Sequence, residues 1–83
     1  MALALREQEY KTELVDIYHA PDNLTYVVED APELGILKSL GIVKDAIVQK
    51  IMTYKLGGPV LLQVESCEIA ISKDIAEKII VRG

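Results

Sequence analysis

The chain has 83 residues and a mass of 9.2 kDa, which leaves room for one hydrophobic core and excludes a multidomain enzyme. Its composition, 51% hydrophobic and 27% charged residues, is too apolar for a disordered chain and too interrupted for a membrane span of about 20 apolar residues. The net charge of −4 disfavours nonspecific binding to the phosphates of nucleic acids.

The cysteine count and the first residues indicate a reducing compartment. The lone Cys67 cannot close an intramolecular disulfide, and residues 1–10 lack the basic and apolar regions of a signal peptide. We therefore expect a cytoplasmic protein. Residues 2–13 are rich in good helix formers but show no apolar stripe, so this arm is left without an assigned structure.

A hairpin and a helix are predicted in the first half of the chain. Residues 14–18 and 24–28 are rich in β-branched and aromatic residues, and residues 19–23 between them favour a turn, which predicts a β-hairpin. Asp30, with Glu33 three residues later, predicts the start of a helix over 31–40. Other features of this helix are a stop at Gly41 and a close packing contact at Gly35.

Further strands are predicted in the second half. Residues 46–54 and 60–65 are strand-like, and the glycines and proline between them predict a second hairpin. The apolar residues of 46–54 fall on both alternating sets, which predicts burial of both faces. A short strand at 68–71, a helix capped by Ser72 and an extended segment at Ile80-Val81 follow.

Short strands joined by tight turns predict a mainly β fold, a small SH3-like barrel with two short helices, because closing the sheet removes exposed edges. The alternative is an open α+β sandwich with both helices on one face. We expect a single domain over 1–83, in which 1–23 form an atypical N-terminal arm and strand and 24–82 form the barrel core.

The residues offer little for catalysis. A nucleophile and base would have to come from the single histidine and single cysteine, and we expect His19 to be a solvated turn residue and Cys67 a buried small hydrophobe. No phosphate-binding loop and no Cys-x-x-Cys metal motif occur. Glu65, Glu68 and Asp74 could form a weak oxygen-ligand site but better fit a solvated acidic face. Elimination therefore favours a binding module.

Several motifs in order carry a family resemblance: Leu37-Lys-Ser-Leu40-Gly41-Ile42, a strand to Tyr54, Gly57-Gly58-Pro59, Ile69-Ala70-Ile71, and Ala76-x-x-Ile79-Ile80-Val81. Over about residues 33–82 the chain resembles the ferrous iron transport protein A family, FeoA. Two departures are Lys44-Asp45, where many relatives carry Pro-Gly, and Ser66-Cys67, near which many carry a glycine.

This resemblance implies a cytoplasmic SH3-like barrel without catalysis, acting as an accessory of the membrane ferrous iron permease FeoB by docking on its cytosolic GTPase region. The same barrel is similar to the C-terminal domain of metal-dependent repressors, so a metal-sensing regulatory domain is the alternative. An adaptor for Pro-rich peptides is disfavoured, because the chain lacks Trp and Phe for an aromatic groove.

No nucleic acid partner, no membrane insertion and no firm cofactor are expected, although weak binding of Fe²⁺ or another divalent metal is left open. A loop on a rigid hairpin can present an apolar residue outward, which makes the second hairpin turn the candidate partner-binding site. Its residues are Tyr54, Lys55, Leu56, Gly57, Gly58 and Pro59.

Overall fold

The computed structural model describes residues 13–83, which form six strands and two short helices. The strands lie in one sheet with the order β1-β6-β2-β3-β4-β5, and every neighbouring pair is antiparallel. The elements are β1 (Leu14–Asp16), β2 (Leu24–Asp30), α1 (Gly35–Ser39), β3 (Ile47–Thr53), β4 (Val60–Val64), β5 (Cys67–Ile71), α2 (Lys73–Ala76) and β6 (Ile80–Arg82).

The sheet curls around one aliphatic core. Buried side chains from β2 to β6 and from both helices belong to a single cluster, and Val15 of β1 packs against it. Neighbouring strands lie about 4.8 Å apart, so a flat sheet of six strands would keep its two edges too far apart to share one core. The mainly β prediction is thus confirmed, with two short helices inserted between the strands.

The first predicted hairpin is wrong, although both of its strands exist. β1 pairs with β6, Val15 opposite Val81, and β2 pairs with β6 and β3. The last strand of the chain therefore lies between the first two. Because β6 is distant in sequence, the turn-forming residues 19–23 gave no sign of this insertion.

The predicted start of α1 is also wrong. Asp30 is the last residue of β2 and pairs with Ile80, so its backbone belongs to the sheet and cannot cap a helix. α1 begins at Gly35, after Leu34, and a Cβ atom at Gly35 would meet nothing within 4 Å, so the expected close contact there is absent. Gly41 does follow the helix with a φ of 83°, as predicted.

The second hairpin is confirmed, since β3 pairs with β4 and Thr53 lies opposite Val60. The expected burial of β3 on both sides is not seen: the inward positions Val48 and Lys50 are buried, whereas on the other side Ile47 is 66% exposed and Ile51 is only half-buried. α2 begins after Ser72 as predicted, but the serine hydroxyl makes no capping hydrogen bond.

Asp45, at one of the two departures from the resembled family pattern, has a φ of 73°. Aspartate tolerates this left-handed conformation better than most residues. The turn before β3 therefore keeps a positive φ without a glycine.

The most unusual core residue is Lys50, which is only 1% exposed. Its ammonium donates hydrogen bonds to the carbonyl oxygens of Tyr18, at 2.7 Å, and Ala20, at 2.5 Å, and lies 3.3 Å from Oδ1 of Asp22. A buried charge is tolerated when it is paired and hydrogen-bonded in this way. Lys50 therefore fastens the segment between β1 and β2 to β3.

Tyr26 fastens the same segment from β2. Its hydroxyl donates a hydrogen bond to the carbonyl oxygen of Pro21, at 2.7 Å. Burial raises the pKa of the Tyr26 phenol above its ordinary value, and the nearby Asp22 carboxylate raises it further. The neutral, donating form of the tyrosine is thereby favoured.

Within residues 13–83, no helix is long and apolar enough to cross a membrane. The arm of residues 2–13, to which the sequence analysis assigned no structure, lies outside the described residues except for Glu13.

Replacing Lys50 with methionine should lower the free energy of unfolding by about 2–4 kcal/mol, because the buried carbonyl of Ala20 and the half-buried carbonyl of Tyr18 lose a charged donor. Tm should fall by roughly 10 °C or more in a domain of this size. Urea and thermal unfolding measure the loss. Lys44→Met, on the exposed Lys44, is the control and should stay within about 0.5 kcal/mol of the parent chain. Equal stabilities of the two variants would contradict a fastening role for Lys50.

Candidate functional site

The turn between β3 and β4 is a tight, hydrogen-bonded structure. The amide of Tyr54 donates to the carbonyl oxygen of Pro59 at 2.9 Å, and the amide of Gly58 donates to that of Lys55 at 3.2 Å. The second hydrogen bond encloses two residues, Leu56 and Gly57, whose φ angles are 60° and 71°. Two central residues with positive φ are the requirement of a type I′ turn, whose twist matches that of a hairpin.

Leu56 is the exception to the residue preferences of this turn. Asparagine, aspartate and glycine normally occupy such a position, whereas an L-residue with a larger side chain costs roughly 1–2 kcal/mol there. The side chain of Leu56 is fully exposed, with a relative accessibility of 103%. It therefore gains no packing within the described part of the chain that would offset the backbone strain.

The glycine that follows has a steric reason. A Cβ atom on Gly58 would lie 2.9 Å from Cβ of Tyr54 and 3.1 Å from the carbonyl oxygen of Lys55. The turn can close only with glycine at this position. The backbone therefore passes close to Tyr54 and Lys55 at a place where a side chain would not fit.

The surroundings of the turn combine apolar and basic groups. Tyr54 is 42% exposed beside Leu56, and Lys55 is exposed between them. Lys73 also lies next to the turn: its Cδ is 4.0 Å from the place where a Cβ of Gly57 would be. Its ammonium is 5.4 Å from the centroid of the Tyr18 ring. The turn thus offers an apolar tip flanked by two lysines on a chain of net charge −4.

The other candidate residues do not assemble into a reactive site. Cys67 is exposed, so its predicted burial is wrong: it is the first residue of the outermost strand, next to a turn. His19 is exposed, and its Nδ1 lies 2.9 Å from Oδ2 of Asp16.

Metal ligands are also dispersed in the described region. Among residues 13–83, no group of three or more His, Cys, Asp or Glu side chains is placed to hold a metal ion. The trio Glu65, Glu68 and Asp74 is accordingly not a cluster. Preformed transition-metal sites take three or four protein ligands, so the described residues do not fit one.

Comparison with protein families decides the relationship. The FeoA domain model matches residues 3–83. The chain belongs to the FeoA domain family. This membership connects it with ferrous iron transport and confirms the resemblance that the motifs carry over about residues 33–82.

Solved FeoA structures share the fold. An iron uptake regulatory protein (FeoA) is 22% identical, with a TM-score of 0.76, over 84% of this chain and 96% of that one. FeoA of Stenotrophomonas maltophilia complexed with zinc, a prokaryotic SH3 domain protein, is 25% identical, with a TM-score of 0.68, over 81% of this chain and 88% of that one. The SH3-like fold is therefore confirmed over the open sandwich.

A manganese-dependent transcriptional repressor has the same fold in part of its chain. It is 17% identical, with a TM-score of 0.77, over 87% of this chain and 42% of the repressor. The FeoA domain thus corresponds to less than half of that protein. No curated protein sequence matches the chain significantly.

Sequence reasoning identified the turn of this FeoA domain but missed two of its features. The first is the positive φ of Leu56, which a two-residue turn requires. The signal for it in the sequence was the pair of adjacent glycines. The proximity of Lys73 to the turn comes from the pairing of β4 with β5, which places the start of α2 beside the β3–β4 turn. No local pattern around Lys73 signals this.

Leu56→Gly should raise the free energy of unfolding by about 1 kcal/mol, since glycine adopts positive φ without the steric cost of a Cβ. Leu56→Ala is the matched control. It keeps the Cβ and the strain, and it should remain within about 0.5 kcal/mol of the parent chain. Urea unfolding of the three proteins tests this, and a glycine variant less stable than the parent would show that Leu56 has a structural role.

Proposed function

We propose that this FeoA domain is a non-enzymatic accessory of ferrous iron uptake in the cytoplasm, which binds the cytosolic GTPase region of a FeoB-type permease. The contact surface is the β3–β4 turn, residues 54–59. The observation that supports it is Leu56, a fully exposed leucine held at a strained positive φ. Strain that packing within the described chain does not offset is typical of functional positions.

The chemistry of the turn suits a protein partner. Burying an exposed leucine side chain contributes roughly 1.5–3 kcal/mol, which is enough to make one residue a binding hot spot. The hydrogen bonds of Tyr54 and Gly58 hold the turn in place, so little conformational entropy is lost on binding. Lys55 and Lys73 would face acidic groups around an apolar pocket of the permease, and such pairs raise the rate of association.

Leu56→Ala should weaken binding to the purified cytosolic region of the permease about tenfold or more, while leaving Tm nearly unchanged. Isothermal titration calorimetry, with the GTPase empty and loaded with GDP or a GTP analogue, measures the affinity. Ile47→Ala is the control variant, since Ile47 is exposed on β3 away from the turn and should leave the affinity unchanged.

Absence of binding in every nucleotide state would reject the permease as partner. Equal affinities of the parent chain and the Leu56 variant would reject the turn as the contact surface and leave the partner to be mapped elsewhere.

A second candidate function is metal-dependent regulation, favoured by one observation. A manganese-dependent repressor in complex with manganese and ScaR with bound Zn²⁺ share this fold, with TM-scores of 0.76 and 0.74. In this reading the ligands would come partly from a partner or a second copy, because residues 13–83 contain no metal-binding group of three side chains.

Anaerobic calorimetric titration with Fe²⁺ and Mn²⁺ separates the two functions. For a permease accessory we expect weak binding with Kd of about 1 mM, from isolated carboxylates such as Asp16 beside His19. Stoichiometric binding at micromolar Kd by the isolated chain would instead favour the regulatory function.

A further inference from the structure

β5 is an outer strand of the sheet with one unpaired side. Among the described strands it pairs with β4, from Val64 opposite Cys67 to Val60 opposite Ile71. Among residues 13–83, none of the backbone hydrogen bonds outside the helices and the sheet involves residues 67–71. In an antiparallel strand every second residue directs its N–H and C=O away from the paired neighbour. Since Val64 and Cys67 flank a two-residue turn and bond to each other, the outward groups are those of Glu68 and Ala70.

This edge lacks the features that usually prevent pairing between proteins. Natural edge strands are very short, interrupted by a bulge, or carry lysine or proline. β5 has five residues in unbroken register with β4 and a single charged residue, Glu68. The opposite edge strand, β1, has three residues, one of them Asp16. The edge at β1 is therefore protected, and within residues 13–83 nothing pairs with the edge at β5.

We propose that β5 pairs antiparallel with β5 of a second copy of the chain, about a two-fold axis at Ile69. The sheet then continues across a homodimer. The proposal does not depend on the function of the β3–β4 turn. Four hydrogen bonds would form, because the outward N–H and C=O of Glu68 meet those of the partner's Ala70, and this exchange occurs twice.

The side chains of β5 are complementary to themselves in this register. On the face toward the core, Ile69 lies opposite the partner's Ile69, and Cys67 lies opposite the partner's Ile71. These positions adjoin an open groove of about 320 Å³ between the end of α1 and the β4–β5 turn, where Leu40, Val64 and Ile69 supply the apolar lining. Apolar side chains meeting there would remove exposed area from water.

The charges are compatible with this register. Glu68 lies on the outer face opposite the partner's Ala70, so no like charges meet. A two-fold axis at Glu68 would instead bring two glutamates directly opposite each other, which destabilises a strand pair.

Ala70 gives a matched test of this register, because it is exposed on the outer face and tolerates a polar side chain. Ala70→Glu places two glutamate pairs across the interface, and Ala70→Lys places two opposite-charge pairs there. Sedimentation velocity up to about 1 mM chain should give a dimer for the parent, a dimer at least as tight for the lysine variant, and about tenfold weaker association for the glutamate variant.

Disulfide trapping is a second measurement. In a Cys67→Ser background, Ile69→Cys should form an intermolecular disulfide under mild oxidation, because opposite residues in a non-hydrogen-bonded pair have Cα atoms about 4.5 Å apart. Ala70→Cys in the same background is the control. Its thiols would lie diagonally, beyond the roughly 7 Å limit for a disulfide, and should stay reduced.

A monomer at every concentration overturns the proposal, and this is the result expected if residues 1–12 or another protein occupy the edge. Equal association of the lysine and glutamate variants, or preferential crosslinking through Ala70→Cys, overturns the register at Ile69. Binding of the permease by a strictly monomeric chain would leave the proposed function intact, so the two failures are distinguishable.

Discussion

The buried ammonium of Lys50 is the interaction on which the fold depends. β6 separates β1 from β2, so the connection between those strands is not a hairpin turn and its carbonyls are not paired across one. Lys50 supplies donors to Tyr18 and Ala20, and Thr53 donates a further bond to Tyr18 at 3.2 Å. An unsatisfied buried carbonyl costs about 1–3 kcal/mol, so a charged donor at this point keeps the connection closed over the core.

The same strand carries the candidate site. β3 runs from this fastened region through a bulge between Lys50 and Met52 to the turn at Leu56. The strand is therefore held on its inner face by a charge and on both sides by hydrogen-bonded neighbours. A turn on such a strand moves little, which is what a single exposed leucine needs to act as a preorganised contact.

Local signals in the sequence predicted local structure. The β3–β4 hairpin followed from adjacent glycines between two strand-like runs, and the end of α1 followed from Gly41. The insertion of β6 between β1 and β2 could not be read in this way, because it joins residues at opposite ends of the chain. A lysine in the core and a cysteine on the surface reverse the usual preferences of both residue types, and only the tertiary contacts of Lys50 and the edge position of Cys67 explain them.

The turn and the β5 edge belong to one sheet but are separate surfaces. Across the outer face, Met52, Leu61 and Ala70 lie opposite one another on β3, β4 and β5, so Ala70 is two strands away from the strand that leads to Leu56. Pairing at the edge would leave the β3–β4 turns of both copies exposed. The continuous sheet would hold these two turns in a fixed arrangement. Once one turn of a dimer is bound, the other turn is held at a high effective concentration near the same partner, provided that the partner offers two sites within reach. Self-association through β5 would therefore strengthen binding to a multivalent partner without any change at Leu56.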